Sequence, residues 1–195
     1  MRSLRGSVTA ENLLTAFRDK TYDHQRYMSF SEIAIQERYM QVARLFSQMA
    51  KGVNEHAKVI ARFLLCSGYT SGEICSLARR AIFVSNTIAN LETAARNESD
   101  NATIVYPGYS KVAFDERFME VSVLLSMIVR ADDNFGRLSA TNADMLVDGT
   151  FFTKSESQIW VCNRCGFVYN GYSAPLLCPL CNMDQRYYEV QCEPR

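Results

Sequence analysis

The sequence predicts a mainly α protein, a four-helix bundle followed by a small metal-binding module. Apolar residues recur at helical spacing over most of the first 150 positions. From Thr9 to about Leu65 there is no proline and a single glycine, Gly52, so long helices meet little to interrupt them. Near the C-terminus, two C-x-x-C pairs lie close enough together to wrap one metal ion. A chain of 195 residues can build both units. The expected division is residues 1–150 for the bundle and 156–195 for the module.

Leu13, Leu14, Ala16 and Phe17 open the first apolar stripe, and Tyr27, Phe30, Ile33 and Ala34 continue it. The stripe resumes at Tyr39, Val42, Ala43, Leu45, Phe46, Met49 and Ala50, and again at Val59, Ile60, Phe63 and Leu64. This predicts two amphipathic helices with a break near Gln36 to Tyr39, and Thr9 is the expected N-cap of the first. Cys66 to Gly72 reads as a linker, in which Thr70 and Glu73 have the spacing of a capping box. A third helix is expected from about Gly72 to Ser99. Polar residues from Asn97 to Thr103 and the Pro107-Gly108 pair then mark a break. A fourth helix is expected from about Tyr109 to Val147, closed by Asp148-Gly149-Thr150. Phe151 to Gln158 reads as an exposed lead into the module. No short repeat is evident. Two αα-hairpins joined by one long connection would give the ferritin-like bundle arrangement.

The module is the most specific part of the chain. Cys162-Asn163-Arg164-Cys165 and Cys178-Pro179-Leu180-Cys181 can supply four thiolates to one tetrahedral ion, either iron or zinc. Gly166, directly after the second cysteine, permits a left-handed turn. Trp160, Phe167, Tyr169, Tyr172, Tyr187 and Tyr188 are expected to make a small dry core beside it. The C-x-x-C-G-[FY]-x-Y opening and C-P-x-C closing resemble rubredoxin, the one-iron electron carrier. That resemblance favours one iron in four-cysteine coordination, with structural zinc as the other possibility.

Composition narrows the partners. Basic and acidic residues number 21 each, which gives no reason to expect capture of nucleic acid or of an anionic membrane surface. Seven cysteines, four of them in the module, leave Cys66, Cys75 and Cys192 without a disulfide framework. Buried, ordinary thiols are expected at Cys66 and Cys75, and a reducing cytoplasm is the expected compartment. Neither a signal peptide nor a membrane-spanning run is evident.

Further residues carry a wider resemblance. They are Ser3-Leu4-x-Gly6-Ser7, Asn12-x-Leu14-Thr15-Ala16-Phe17, Arg26-Tyr27, Glu55-His56-Ala57-Lys58, Ala89-Asn90-Leu91 and Val105-Tyr106-Pro107. With the bundle and the module, they resemble the rubrerythrin family over essentially the whole chain. The resemblance implies peroxide reduction at a two-iron carboxylate site in the bundle, with electrons relayed by the rubredoxin-like centre. It also implies a homodimer and a redox partner protein.

The expected diiron ligands are nearly all replaced. Lys20 stands at the first-helix glutamate, and Val53 replaces the carboxylate of the second-helix motif while His56 remains. Glu98 matches one third-helix glutamate, with Asn101 at the other. Asp132 and Phe135 stand in the fourth-helix motif, Phe135 where a histidine belongs. His56, Glu98 and Asp132 are thus the remnant ligand positions, and no catalytic residue is assigned. A buried Lys20 ammonium paired with Glu98 or Asp132 is expected to substitute for the metal charge.

This leaves three readings: an electron carrier with its diiron site lost, a peroxide reductase with an altered site, or an interaction protein with structural zinc. The second would need compensating carboxylates such as Glu37, Glu55, Glu92 or Asp133. Asp23 and His24, with Glu98, form a further candidate for a single-metal site. Tyr22, Tyr27, Tyr39, Tyr106 and Tyr109 are expected in the core or at interfaces.

Overall fold

The computed structural model describes residues 4–75 and 82–191. Cys192 and the segment 76–81 lie outside them, and of Cys75 only the backbone is described.

Helix α1 spans Val8–Gln36 and α2 spans Met40–Cys66, so the expected break falls where the pattern places it. The N-cap of α1 is Ser7, not Thr9; the Ser7 side chain accepts from the Ala10 N–H. Thr9 sits inside the first turn, where Glu116 accepts from the Val8 and Thr9 N–H groups and from the Thr9 hydroxyl. A cap from a distant turn leaves no local signal.

The middle of the chain differs from the expectation. Helix α3 is short, Ser71–Cys75, and starts on the expected capping box: Glu73 accepts from the Thr70 N–H while its own N–H reaches the Thr70 hydroxyl. The third bundle helix begins later, with α4 at Thr87–Asp100, capped by Asn86. It does not stop at Pro107. A π-helical turn, Asn101–Val105, carries it into α5, Tyr106–Asp115, and the Tyr106 N–H bonds the carbonyl five residues back. The wide turn falls just where the Pro107 ring would clash with the preceding turn. Helix α6 spans Met119–Val147. The true break, Glu116-Arg117-Phe118, contains neither glycine nor proline.

Helices α1 and α2 form one antiparallel hairpin, and α4–α5 with α6 form the other. A longer repeat links them, although no short repeat is evident. The hairpin turns read Glu37-Arg38-Tyr39-Met40 and Glu116-Arg117-Phe118-Met119, with Arg38 at φ 69° and Arg117 at φ 66°. At the same constant offset, Ser7 corresponds to Asn86 as N-cap and Tyr27 to Tyr106 as a buried ring. The Ser31 hydroxyl donates to the Ala43 carbonyl as Ser110 does to that of Ser122. Each turn's glutamate caps the other hairpin: Glu116 caps α1, and Glu37 accepts from the Thr87 N–H of α4.

After Gly149 the chain turns into a three-stranded antiparallel sheet of order β2-β1-β3, with β1 at Thr153–Cys162, β2 at Val168–Ser173 and β3 at Tyr188–Val190. Residues 151–158 are not a simple exposed lead. Phe151 is buried among Phe46, Ala143 and neighbouring bundle residues, and Phe152 packs towards both the bundle and the module. Tyr39 stacks on Phe152 at 6.4 Å between centroids. Arg38 pairs with Asp184 at 2.9 Å and Arg44 with Glu189 at 2.6 Å, holding the module against the α1–α2 turn.

Candidate functional site

Two sites emerge, one at each level of the molecule. In the module, the Cys162–Cys165 and Cys178–Cys181 knuckles face each other as hairpin turns of matching construction. In each, the N–H groups two and three residues after the first cysteine reach its sulfur: Arg164 and Cys165 at Cys162, Leu180 and Cys181 at Cys178. Each knuckle then closes through a left-handed residue, Gly166 at φ 77° and Asn182 at φ 58°. Their N–H groups donate back to the Cys162 and Cys178 carbonyls, both at 2.8 Å.

The sulfurs are set for a metal. Cys162 Sγ lies 3.7 Å from Cys181 Sγ, and Cys165 Sγ lies 3.6 Å from Cys178 Sγ. All four lie within 4.8 Å of one another. A tetrahedron with metal–sulfur bonds of about 2.3 Å has edges of about 3.8 Å. The spacing therefore matches a shared ion and is far too long for a disulfide. Burial pushes the Cys162 thiol up against the pull of the Arg164 and Cys165 N–H groups, which fits a sulfur that needs a cation to stay ionised. Trp160 and Tyr188 are fully buried beside the cluster, as expected, whereas Tyr169 and Tyr172 turn outward to solvent.

The second site lies at the bundle centre. Lys20 of α1, Glu98 of α4 and Asp132 of α6 are each fully buried. The Lys20 ammonium is 2.7 Å from Asp132 Oδ2 and 3.6 Å from Glu98 Oε2, and stands 5.1 Å from the centroid of the Tyr106 ring. The expected pairing of Lys20 is thus present with both acids. Burial opposes the ammonium, but Glu98 and then Asp132 outweigh it and raise the Lys20 pKa. Burial pushes the Asp132 carboxyl up, against Lys20 and with the help of Glu98. Burial and the nearby Glu98, only partly offset by Lys20, thus leave Asp132 holding its proton more tightly than a solvated carboxyl does.

A hydrogen-bond network not foreseen in the sequence supports Glu98. The buried Tyr27 hydroxyl donates to Glu98 Oε1, and Asn97 Nδ2 donates to Tyr27 at 3.2 Å and to Asp23 at 3.3 Å. Arg26 holds the other oxygen of Asp23 at 2.7 Å. Burial still pushes the Asp23 carboxyl up to about 6, against the pull of Arg26. Only the Arg26-Tyr27 pair in the sequence hints at this network.

His56 Nδ1 approaches Asp132 Oδ1 at 3.6 Å. Burial, aided by the Lys20 charge, lowers the His56 pKa to about 4, so the ring is neutral near pH 7. His56 Nδ1, Glu98 Oε2 and Asp132 Oδ1 make no hydrogen bond. Beside them the site is apolar. Val53 is fully buried, and Phe135 lies so near α2 that a Cβ on Gly52 would come within 2.7 Å of its Cζ.

Other candidates fall elsewhere. His24 Nδ1 bonds the Ala50 carbonyl at 2.9 Å, away from the Glu98 cluster, so Asp23, His24 and Glu98 do not converge. Glu37 is spent on the α4 cap. Glu55 and Asp133 are exposed and paired with Lys58 and Arg137, and Glu92 is exposed. None of them joins the buried Lys20, Glu98 and Asp132 cluster. Asn101 is taken into the π turn. Cys66, expected to be buried, is exposed at the end of α2.

A helical bundle with a tetrathiolate module on its C-terminal side defines a class of redox-type metalloprotein folds. The rubrerythrin family model matches residues 11–134, and the rubrerythrin rubredoxin-like domain matches residues 160–189. A rubrerythrin of Clostridium perfringens is 35% identical over 190 residues, covering 97% of each chain. One from Nitratidesulfovibrio vulgaris is 30% identical over 191 residues, again covering 97% of each. This chain belongs to the rubrerythrin family. Among solved structures, a nigerythrin in its fully reduced, all-ferrous state shares the fold, with a TM-score of 0.63 at 19% identity over 97% of this chain and 92% of that one. No described helix is long and apolar enough to cross a membrane.

Proposed function

We propose that this protein is a one-electron carrier of the rubrerythrin family whose bundle no longer holds a diiron centre. The observation that carries this reading is the fully buried Lys20 ammonium, 2.7 Å from Asp132 and 3.6 Å from Glu98. Two ferrous or ferric ions need several carboxylates and imidazoles, and the remnant set offers Glu98, Asp132 and His56. Lys20 supplies the positive charge that those acids require, and Val53 and Phe135 fill the adjoining space with carbon. The bundle centre therefore does not fit two irons.

The module fits one ion. Cys162, Cys165, Cys178 and Cys181 would hold it, and tetrathiolate iron supplies reversible one-electron chemistry. The chain's own residues then do the rest. Backbone N–H groups of both knuckles neutralise part of the sulfur charge, and Trp160 and Tyr188 keep water from the inner face. Cys165 and Cys181 are only half-buried, and Val168, Leu177 and Leu180 are exposed on the same module. That surface suits brief docking by a redox partner. Lys20 lies about 24 Å from the C-terminal end of α1, where the module of the same chain is seated. Exchange with another molecule, including the second chain of a homodimer, is therefore the natural route. Free thiol ligands and the exposed Cys66 agree with a reducing, cytoplasmic setting.

The test is metal content per chain with a visible spectrum, on protein made with ample iron and without oxygen. One iron with thiolate-to-iron colour, all lost in Cys178→Ser, is expected. Colourless protein with one zinc would overturn electron transfer. Buried His56 Nδ1, Glu98 Oε2 and Asp132 Oδ1, which make no hydrogen bond, favour a second reading, a peroxide reductase with an altered bundle metal site. Iron that survives Cys178→Ser, with peroxide-dependent turnover, would replace the first reading by that one.

A further inference from the structure

The bundle end farthest from the thiolate module carries a cavity of about 620 Å³. It opens between the last turn of α2 and the turn joining α5 to α6. Its wall is chiefly apolar, built by side chains such as Val59, Phe63, Phe118 and Val121, and both Arg62 and Arg117 border it. The size is that of a small-molecule site. The N-terminus of α6 points here with no side-chain cap, which adds favourable potential for an anion. Glu120 also borders the space, so the basic character rests with the two arginines.

The internal repeat indicates what such a place accepts. Arg117, Phe118 and Val121 correspond to Arg38, Tyr39 and Val42 at the other end. There every partner is present within the chain. Arg38 takes the Asp184 carboxylate at 2.9 Å, the Tyr39 ring stacks on Phe152, and Val42 is buried in the cluster that includes Phe151. One end of the bundle thus binds a carboxylate through its left-handed arginine while apolar rings fill the space beside it. At the other end, Val121 is buried and Phe118 packs against the core as well, but Arg117 makes no ion pair among the described residues, and the space beside it stands as a cavity.

We propose that this cavity is a binding site for a small amphipathic carboxylate, whose alkyl or aryl body enters the apolar space while its carboxylate meets Arg117 and Arg62. None of the four module cysteines lines the site, which lies at the opposite end of the bundle, so it does not depend on which metal the module holds.

Dodecanoate, kept below its micelle concentration, is the probe, with dodecanol as the uncharged control. Calorimetry on the full metal-loaded chain is expected to show one saturable site per chain. Arg117→Gly keeps the left-handed turn while removing the guanidinium, and should weaken binding at least tenfold. Val59→Trp should block the cavity, with circular dichroism confirming that the bundle is intact. Cys66, on the same wall, gives an independent readout: dodecanoate should slow its alkylation, followed by site-resolved mass spectrometry. Absence of saturable binding, equal binding by dodecanol, or unchanged affinity in Arg117→Gly and Val59→Trp overturns the proposal. Binding without protection of Cys66 overturns it too, because the ligand is then elsewhere.

Discussion

At the centre of the bundle, a lysine side chain with no exposed surface sits against two carboxylates with none. Removing one member of such a buried set leaves the rest uncompensated, and Lys20→Met should destabilise the bundle by about 3–5 kcal/mol in urea melts. Adding Asp132→Asn to Lys20→Met should recover part of that loss, because a neutral amide replaces the stranded acid. Additive losses would mean that the two residues are not coupled. His56 sets a pH dependence of opposite kind. Its ordinary pKa of 6.5 falls to about 4 in the fold, so the unfolded chain takes up the proton first. The stability it contributes is complete above pH 6.5 and drains away as the pH falls towards 4. In His56→Gln the stability difference between pH 7 and pH 4.5 should shrink by about 2–3 kcal/mol. Asp23, raised to about 6, works the other way, since its folded form favours the proton and loses stability as the pH rises from 3.8 to 6. The separate variants are needed because the two effects oppose each other in wild-type protein. Lys20, Glu98 and Asp132 are legible in the sequence only through the resemblance, which sets them at expected ligand positions and pairs the lysine with the acids. The pairing of Tyr27 with Glu98 is not, since the two are far apart in sequence and meet only when α1 packs on α4.

Helix boundaries show where local signals mislead. Pro107-Gly108 looks like punctuation, yet the chain passes through it as helix because the π turn widens the backbone before the proline ring. The actual stop comes at Arg117, a residue type that gives no warning of a left-handed conformation. Its twin at Arg38 is legible only because the apolar stripe shifts phase there. Thr9 looks like a cap because it precedes the stripe, whereas Ser7 and the distant Glu116 share that work. Replacing Glu116 by alanine should destabilise the protein by about 1–2 kcal/mol, the usual loss for a helix cap, and Glu37→Ala should behave alike on α4. Amide exchange confined to the first turn of the affected helix would check the assignment. An Arg117→Val change should be worse than Arg117→Gly, because a β-branched residue is poorly accommodated at positive φ.

Over the whole molecule, the module is held on the bundle by an aromatic stack and by exposed ion pairs, Arg38 with Asp184 and Arg44 with Glu189. Pairs of this kind contribute less than about 1 kcal/mol each and weaken in salt. The double change Arg38→Glu and Arg44→Glu should therefore release the module without unfolding either part. Small-angle scattering should show a larger radius of gyration while the helical circular dichroism stays constant, and half-molar salt should produce part of the same change in wild-type protein. The order of units and the cysteine cluster are legible because each rests on local spacing. This seating is not, because Arg38, Phe152 and Asp184 carry no pattern that links them.

The exchanged glutamates of the two hairpin turns bear on how the bundle forms. Helix α1 has its full set of N-terminal partners only once the second hairpin has made its turn, and α4 likewise waits on the first. Neither hairpin can reach its final stability alone. The two halves, alike enough to have been independent units, are thereby tied to appear together, and a chain severed between them should regain its structure only when both fragments are present.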